Sequence, residues 1–168
     1  NMTPHKIVEL GIVQVPEGRQ LFSHMSVMEN LELGAFTAKA RKAKKKNIEM
    51  VFDILPDLKA KAKTFAVELS GGQQQMCAIA RGLMAEPKLL MIDELSLGLS
   101  PLLAQQMFDL VKKIHEQGIT VLLVEQNVRQ SLLIADSASV LENGCVAMCG
   151  KACDLMENAG LRKAYLGM

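Results

Sequence analysis

The chain has 168 residues, 49% of them hydrophobic, which is enough apolar material to bury one core. Its formal net charge of +1 excludes a general electrostatic attraction to nucleic acid. No apolar stretch approaches the roughly 20 residues that a membrane-spanning helix needs, and the first residues lack the pattern of a signal peptide.

The first third of the chain combines one predicted strand with two predicted helices. We predict a strand over Lys6 to Val15, ending at a loop that contains Pro16-Glu17-Gly18. Ser26 to Leu33 begins with a helix-capping serine and has a glutamate three positions later, which predicts a short helix. A longer helix is expected from Lys39 to Leu55, because Pro56 cannot continue it.

The first half of that longer helix is strongly basic. A run of this kind is most often a solvated helix face, and we favour that interpretation. The alternative is attraction to anionic lipid beside a membrane partner, worth only about 1 kcal/mol per charge. The basic residues are Arg41, Lys42, Lys44, Lys45 and Lys46.

The segment Leu69-Ser70-Gly71-Gly72-Gln73 predicts the start of another helix. Ser70 is a preferred N-cap, and Gln73 three residues later completes a capping box. Gly71 and Gly72 would let an anion approach the free backbone N–H groups at the positive end of the helix dipole. A helix cap with a flexible entry explains the segment alone, so an anion site depends on further evidence. The apolar residues that follow at helical spacing are Met76, Ile79, Ala80, Leu83 and Met84.

That evidence is the pair Asp93-Glu94, which directly follows the apolar run Leu89 to Ile92. A short run without alternation predicts a strand buried on both faces of a parallel sheet, and ligands bind at the carboxyl ends of such strands. Asp93 could hold magnesium there, directly or through water, and Glu94 could orient or deprotonate an attacking water. A solvent-facing acidic exit explains either residue alone, whereas the adjacent pair favours a functional role.

The rest of the chain continues to alternate helices and strands. Ser100-Pro101 predicts the start of a helix that ends at Gly118. The alternation predicts an α/β fold with a mainly parallel sheet, in which residues 23–84 form a helical insertion. The later predicted elements are a buried strand Thr120–Val124, a helix Gln130–Ala135, and the strands Ser139–Glu142 and Cys145–Cys149.

Three of the four cysteines, Cys145, Cys149 and Cys153, recur every four residues, and the fourth is Cys77. This spacing suggests a metal site, but no histidine or further close pair completes a zinc-type ligand set. We expect reduced thiols.

Taken together, these motifs resemble the nucleotide-binding subunit of an ABC transporter. Leu69 to Gln73 is similar to the signature motif, and Leu89 to Glu94 is similar to the Walker B strand with its catalytic glutamate. The resemblance covers nearly the whole chain and is closest to the subunits that power branched-chain amino-acid uptake. The segments that point to this branch are Val15-Pro16-Glu17-Gly18-Arg19, Ser96-Leu97-Gly98-Leu99, Leu123-Val124-Glu125-Gln126-Asn127 and Ala164-Tyr165-Leu166-Gly167.

The resemblance implies roles for several residues. Glu94 and Gln126 would be catalytic, with Gln126 at the switch position where most relatives carry histidine. Asp93 would hold magnesium through water, and Glu17 would be the residue of the Q-loop, which links the nucleotide site to the membrane partner. Leu95 replaces the proline that usually follows the catalytic glutamate. The residues that would contact the phosphates of a partner's ATP are Ser70, Gly71, Gly72 and Gln73.

No Gly-x-x-x-x-Gly-Lys-Ser/Thr loop, which normally cradles the nucleotide's phosphates, occurs in the 168 residues. The resemblance therefore implies an incomplete P-loop NTPase core, truncated at the N-terminus, that cannot hydrolyse ATP alone. ATP and magnesium would bind only in a complete or mixed site. The expected division is a core remnant with the Q-loop over 1–22, a helical subdomain over 23–84, catalytic core over 85–150 and a helical tail over 151–168.

In that family a core strand lies between the strands that correspond to Thr120–Val124 and Ser139–Glu142. Without it, the two strands would face a gap with unpaired backbone groups. We expect the gap to close by re-pairing, or to be filled by self-association or strand exchange.

Three functions are compatible with the sequence. The first is an ATPase subunit of an amino-acid importer, located in the cytoplasm at the inner face of the membrane and bound to transmembrane permease subunits. The second is a non-catalytic module that lends its signature motif to an intact homologous ATP-binding subunit. The third, an ABC-type ATPase of DNA repair or translation, is disfavoured because no coiled-coil heptads or second ATPase domain accompany the motifs.

Overall fold

A three-stranded parallel sheet organises the first of two units in the computed structural model, which describes residues 2–163. The first unit is Asn1–Val124 and the second is Glu125–Met168. The sheet has the order β1-β2-β3, and Val15 pairs with Ile92 while Asp93 pairs with Val124. Its strands are β1 (Ile12–Val15), β2 (Leu89–Asp93) and β3 (Thr120–Val124).

Helices supply the rest of the first unit, and the three capped helices predicted from the sequence are confirmed. Ser26, Ser70 and Ser100 each accept a hydrogen bond from the backbone three residues on, as helix-capping serines do. The helices are α1 (Pro4–Glu9), α2 (Val27–Gly34), α3 (Ala38–Ile54), α4 (Pro56–Ala60), α5 (Gly71–Leu83) and α6 (Pro101–Glu116), with a 3₁₀ turn at Ala66–Glu68.

The second unit is a hairpin with helices around a small apolar core. Its two strands pair antiparallel, and Asn143 and Gly144 form the turn between them with positive φ. Leu132, Leu155 and Leu161 are buried together in this core. The elements are α7 (Val128–Ile134), β4 (Ser137–Glu142), β5 (Cys145–Lys151), α8 (Ala152–Glu157) and α9 (Ala159–Leu161).

The predicted strand Lys6–Val15 is wrong over its first half. Pro4 stands in the first turn of α1, where its fixed φ and missing N–H are compatible with a helix. Gly11 then reverses the chain with a φ of 91°, so that only Ile12–Val15 is extended.

The sequence predicted buried strands at Leu89 to Ile92 and at Thr120–Val124, and both predictions need correction. In β2, Leu90 and Ile92 are buried, whereas Leu89 and Met91 are half-buried, so the strand buries one face more than the other. In β3 no side chain is fully buried, and Leu122 and Val124 are each 51% exposed. Both strands are apolar runs in the sequence, so the sequence did not show that β2 is the central strand and β3 an outer strand of the sheet.

The expected re-pairing between Thr120–Val124 and Ser139–Glu142 is not observed in the described part of the chain. β3 pairs with β2, and β4 pairs with β5 in a separate two-stranded sheet. Self-association and strand exchange stay predictions.

Helix α5 has nine buried residues, and glycines allow two of its close contacts. A Cβ at Gly34 of α2 would overlap the carbonyl group of Arg81, so the two helices meet backbone to backbone. A Cβ at Gly82 would lie 3.1 Å from Val15 and 3.3 Å from Leu90, which seats α5 on the sheet. The helix thus joins the sheet to the helical part of the unit.

Two further expectations from the sequence concern the C-terminal segment and membrane-spanning helices. The segment Ala164-Tyr165-Leu166-Gly167, which contributed to the resemblance, lies outside the described residues. Within residues 2–163, none of the helices combines the length and the apolar character that crossing a bilayer requires.

A buried asparagine holds the loop between β1 and α2. The side-chain oxygen of Asn30 accepts a hydrogen bond from the backbone of Phe22 at 3.0 Å. Its amide nitrogen donates to the carbonyl oxygens of Phe22 at 3.1 Å, Met25 at 3.3 Å and Ser26 at 3.0 Å. One side chain therefore satisfies backbone groups at three positions of the loop.

We expect Asn30→Ala to lower the free energy of unfolding by about 2–3 kcal/mol, because several partly buried backbone groups of the loop lose a hydrogen-bond partner. Denaturant titration measures the loss. Glu32→Gln, an exposed change on the same helix, is the control and should cost less than about 0.5 kcal/mol. Equal losses in the two variants would contradict this role for Asn30.

Candidate functional site

The carboxyl ends of the three parallel strands meet at one edge of the sheet, where two predicted site residues lie. Asp93 is the last residue of β2 and pairs with Val124, the last residue of β3. Glu17 is exposed two residues after the end of β1, whose Val15 pairs with Ile92. This edge is where parallel α/β sheets bind ligands.

Glu94 follows β2 in an unusual backbone conformation. Its φ is 51°, in the left-handed region that residues with a Cβ rarely adopt, and its N–H donates to the carbonyl oxygen of Val124 at 3.0 Å. The next residue, Leu95, is completely buried. The hydrogen bond and the buried leucine together hold the strained turn and hence the direction in which the Glu94 side chain leaves the backbone.

The start of α5 has the capping box that the sequence predicts. The Ser70 hydroxyl oxygen accepts a hydrogen bond from the N–H of Gln73 at 3.4 Å, and the Gln73 side-chain oxygen accepts one from the N–H of Ser70 at 3.1 Å. The N–H groups of Gly71 and Gly72 precede the first intrahelical bond. They are the donors at this end that an anion would use.

The two glycines of this motif also allow close packing within the chain. A Cβ at Gly71 would lie 3.2 Å from Nη2 of Arg19, and one at Gly72 would lie 3.2 Å from the Leu103 side chain. An added Cβ at either position would make the neighbouring side chain shift by a few tenths of an ångström, so glycine lets Arg19 and Leu103 pack closely against the helix start.

Two arginines to which the sequence analysis gave no role of their own make side-chain hydrogen bonds here, Arg19 onto α5 and Arg81 from α5 itself. Arg19 donates from Nη1 to the side-chain oxygen of Gln74 at 2.8 Å. Arg81 donates from Nη1 to the carbonyl oxygen of Gln20 at 2.7 Å. The sequence did contain a signal for Arg81. This residue lies inside the apolar stretch Met76 to Leu83, and a charged side chain on a buried helix needs polar partners.

Burial changes the proton affinity of two groups on α5. It raises the pKa of the Cys77 thiol to about 11, against the smaller opposing influence of the nearby Arg81 charge. It also lowers the pKa of Arg81. Cys77 is thus a neutral packing residue, while Cys145, Cys149 and Cys153 are exposed free thiols.

Gln126 lies in the second unit, on the segment between β3 and α7. Its N–H donates to the Glu125 carboxylate at 3.1 Å, which also accepts from the N–H of Asn127 at 3.2 Å. Asn127 in turn caps α7 by accepting from the N–H of Gln130 at 3.2 Å. The backbone at Gln126 is therefore organised, and its side chain is exposed.

The described residues contain no group of three or more His, Cys, Asp or Glu side chains that could hold a metal ion. Magnesium at nucleotide sites is commonly bound by one or two carboxylates together with phosphates and water. Asp93 with Glu94 fits that pattern, because the phosphates would supply the remaining ligands.

A parallel α/β sheet with carboxylates at its carboxyl edge, together with a capped glycine-rich helix start, is typical of nucleotide-binding domains. Residues 1–96 match the family described as ABC transporter. On this match and on the relatives below, the chain belongs to the ABC transporter family. This family binds ATP with magnesium.

Curated relatives agree with the family match. The high-affinity branched-chain amino acid transport ATP-binding protein BraG of Pseudomonas aeruginosa is 44% identical over 161 residues, covering 96% of this chain and 69% of BraG. The probable branched-chain amino acid transport ATP-binding protein LivF of Archaeoglobus fulgidus is 37% identical, covering 100% of this chain and 71% of LivF.

Solved structures confirm the α/β fold. The ADP conformation of MJ1267, an ATP-binding cassette of an ABC transporter, superimposes with a TM-score of 0.79 at 28% identity, covering 100% of this chain and 73% of MJ1267. CbiO1 from Clostridium perfringens, part of the ABC transporter complex CbiONQ, gives a TM-score of 0.82 at 25% identity, covering 99% of this chain and 68% of CbiO1.

We expect Ser70→Ala to lower the free energy of unfolding by about 1 kcal/mol, because the N–H of Gln73 loses its acceptor. Ser70→Thr keeps a hydroxyl at the same position and should retain most of that stability. Urea titration of the two variants provides the measurement. If threonine costs as much as alanine, the hydroxyl does not support the helix start.

Proposed function

We propose that this chain serves an importer of branched-chain amino acids as its ATP-binding subunit. The observation that carries the proposal is the 44% identity to BraG over 96% of the chain, with the signature helix start and the acidic end of β2 both in place. A methionine import protein, MetN of Lactobacillus acidophilus, is 35% identical but is covered over only 42% of its length. Branched-chain amino acids are therefore the favoured substrate class.

In this proposal the residues at the carboxyl edge of the sheet would bind magnesium and position the attacking water. In a complete site Asp93 would hold magnesium through water, and Glu94 would polarise the water that attacks the terminal phosphate. Gln126 is the proposed switch residue, whose neutral amide can donate a hydrogen bond to a phosphate. Glu17, in the loop that follows β1, would link this edge to the membrane partner.

The signature helix start serves a nucleotide held by a second ATP-binding subunit. Ser70, Gly71, Gly72 and Gln73 form a capped helix start whose free N–H groups and dipole favour a phosphate. The polypeptide 1–168 has no phosphate loop of its own, so we propose that it hydrolyses no ATP alone. Its signature motif would instead contact the phosphates of ATP held by an intact homologous subunit, which we call the lending role.

A groove beside α2 is the proposed contact with a permease subunit. Its volume is about 540 Å³, and its apolar lining includes Met25, Leu33 and Phe36. Leu33 is 42% exposed and Phe36 is 44% exposed, so an apolar helix could bury them. Charged residues at the groove could orient that helix: Glu29, Glu32, Arg41 and Lys44. Such a contact would hold the chain at the inner face of the membrane.

Mixed assembly with an intact homologous subunit and the permease tests the lending role. We expect ATP hydrolysis by the assembly and none by the isolated polypeptide 1–168. Ser70→Arg in this chain should reduce hydrolysis by at least about tenfold, because a cation of that size disrupts the helix start that faces the phosphate. Ser139→Arg, an exposed change on β4, is the matched control. Failure of the mixed assembly to form would refute the lending role.

Transport assays in vesicles test the substrate class by pairing this chain with two different permeases. We expect ATP-dependent accumulation of leucine with a branched-chain amino-acid permease, and methionine accumulation with a methionine permease at no more than about one tenth of that rate, because specific docking favours the matching permease. Preferential methionine uptake would overturn the branched-chain proposal while leaving the family membership untouched.

A further inference from the structure

The loop after β1 contains three consecutive residues in the left-handed region. The φ angles are 76° at Gly18, 65° at Arg19 and 45° at Gln20. Because Arg19 and Gln20 carry a Cβ, this conformation is strained at both residues and needs support from their surroundings. Within the turn, the N–H of Gln20 donates to the carbonyl oxygen of Gly18 at 2.6 Å.

Arg81 supplies part of that support from the C-terminal half of α5. Its Nη1 donates to the carbonyl oxygen of Gln20 at 2.7 Å, and its Nη2 donates to that of Arg19 at 3.4 Å. Its guanidinium carbon lies 5.8 Å from the centre of the Phe22 ring, within cation–π range. One side chain thus holds the carbonyl groups of both strained residues.

The side chain of Arg19 reaches the opposite end of the same helix. Its Nη1 donates to the side-chain oxygen of Gln74 at 2.8 Å, and its guanidinium lies against Gly71. Gln74 in turn donates to the carbonyl oxygens of Ala66 at 3.1 Å and Leu69 at 3.2 Å, directly before the helix start.

The strained turn is therefore attached to α5 at two points that are about 10–15 Å apart along the helix axis. A shift of the turn that preserves these bonds must carry the start of the helix with it. A shift of the helix start must likewise disturb the turn, because coupling between two sites is reciprocal.

We propose that Arg19 and Arg81 are positioning residues that fix the signature helix start relative to the Gly18–Gln20 turn. Through them, a displacement of the segment that carries Glu17 is transmitted to Ser70 and Gln73. The functional meaning of this coupling rests on the proposed role of the helix start in binding a partner's nucleotide. The coupling itself exists without nucleotide or partner.

Amide hydrogen exchange of the isolated chain 1–168, resolved by residue with NMR, tests the coupling. Arg81→Ala should speed exchange about tenfold at Gln20 and Phe22 in the turn and also at Gln73 and Gln74 in the helix start. Amides of β2 and α6 should keep their rates. Arg81→Lys should restore part of the protection, since an ammonium group can still donate to one of the two carbonyl oxygens.

The reverse perturbation uses Gly71→Ala, whose Cβ would meet the mobile end of the Arg19 side chain at 3.2 Å. We expect faster exchange at Gln20 and Phe22, although the substitution lies on α5. Arg19→Ala should speed exchange at Gln73 and Gln74 while Arg81 retains its bonds to the turn. These two variants carry the test if Arg81→Ala does not fold.

Lys112→Ala, an exposed change on α6, is the control and should leave all four amides unchanged. The proposal is overturned if Gly71→Ala speeds only Gln73 and Gln74, or if the arginine variants speed all amides equally through general loss of stability. Because no nucleotide or second subunit is present, the result does not depend on whether the lending role is correct.

Discussion

The close approach of α5 to its neighbours is the constraint on which the first unit depends. Gly34 lets α2 meet the backbone of α5 at Arg81, and Gly82 lets the same helix settle on Val15 and Leu90 of the sheet. Interiors are packed so densely that an added Cβ at Gly34 would force α2 away from α5, and one at Gly82 would press on two side chains of the sheet. Ser70 and Gln73 lie at the other end of this helix, so the capped helix start has a rigid support.

The site shows two different ways of holding functional groups. At the edge of the sheet, Asp93 is placed by strand pairing, and Glu94 is aimed by a left-handed backbone with the buried Leu95 behind it. At the helix start, Ser70 and Gln73 bond to each other and leave the backbone N–H groups of the glycines for a ligand. The first arrangement suits a metal and water, and the second suits a phosphate.

Local signals in the sequence predicted the elements whose causes are local. The capping boxes at Ser26 and Ser70 and the Ser100-Pro101 start were confirmed because a cap is made within four residues of chain. The strand Lys6–Val15 failed in its first half because apolar residues alone did not outweigh the helix start at Pro4. The burial of Thr120–Val124 failed because an outer position in a sheet depends on distant neighbours.

The sequence by itself determined the family, the helix starts and the candidate residues Ser70, Asp93 and Glu94, since each of these follows from short-range chemistry in a contiguous segment. Only the tertiary structure revealed the left-handed turn at Gly18 to Gln20 and its attachment to α5 through Arg19 and Arg81. Those contacts join residues 55 to 62 positions apart. No local pattern records such pairings, because they exist only once the sheet and α5 have packed together.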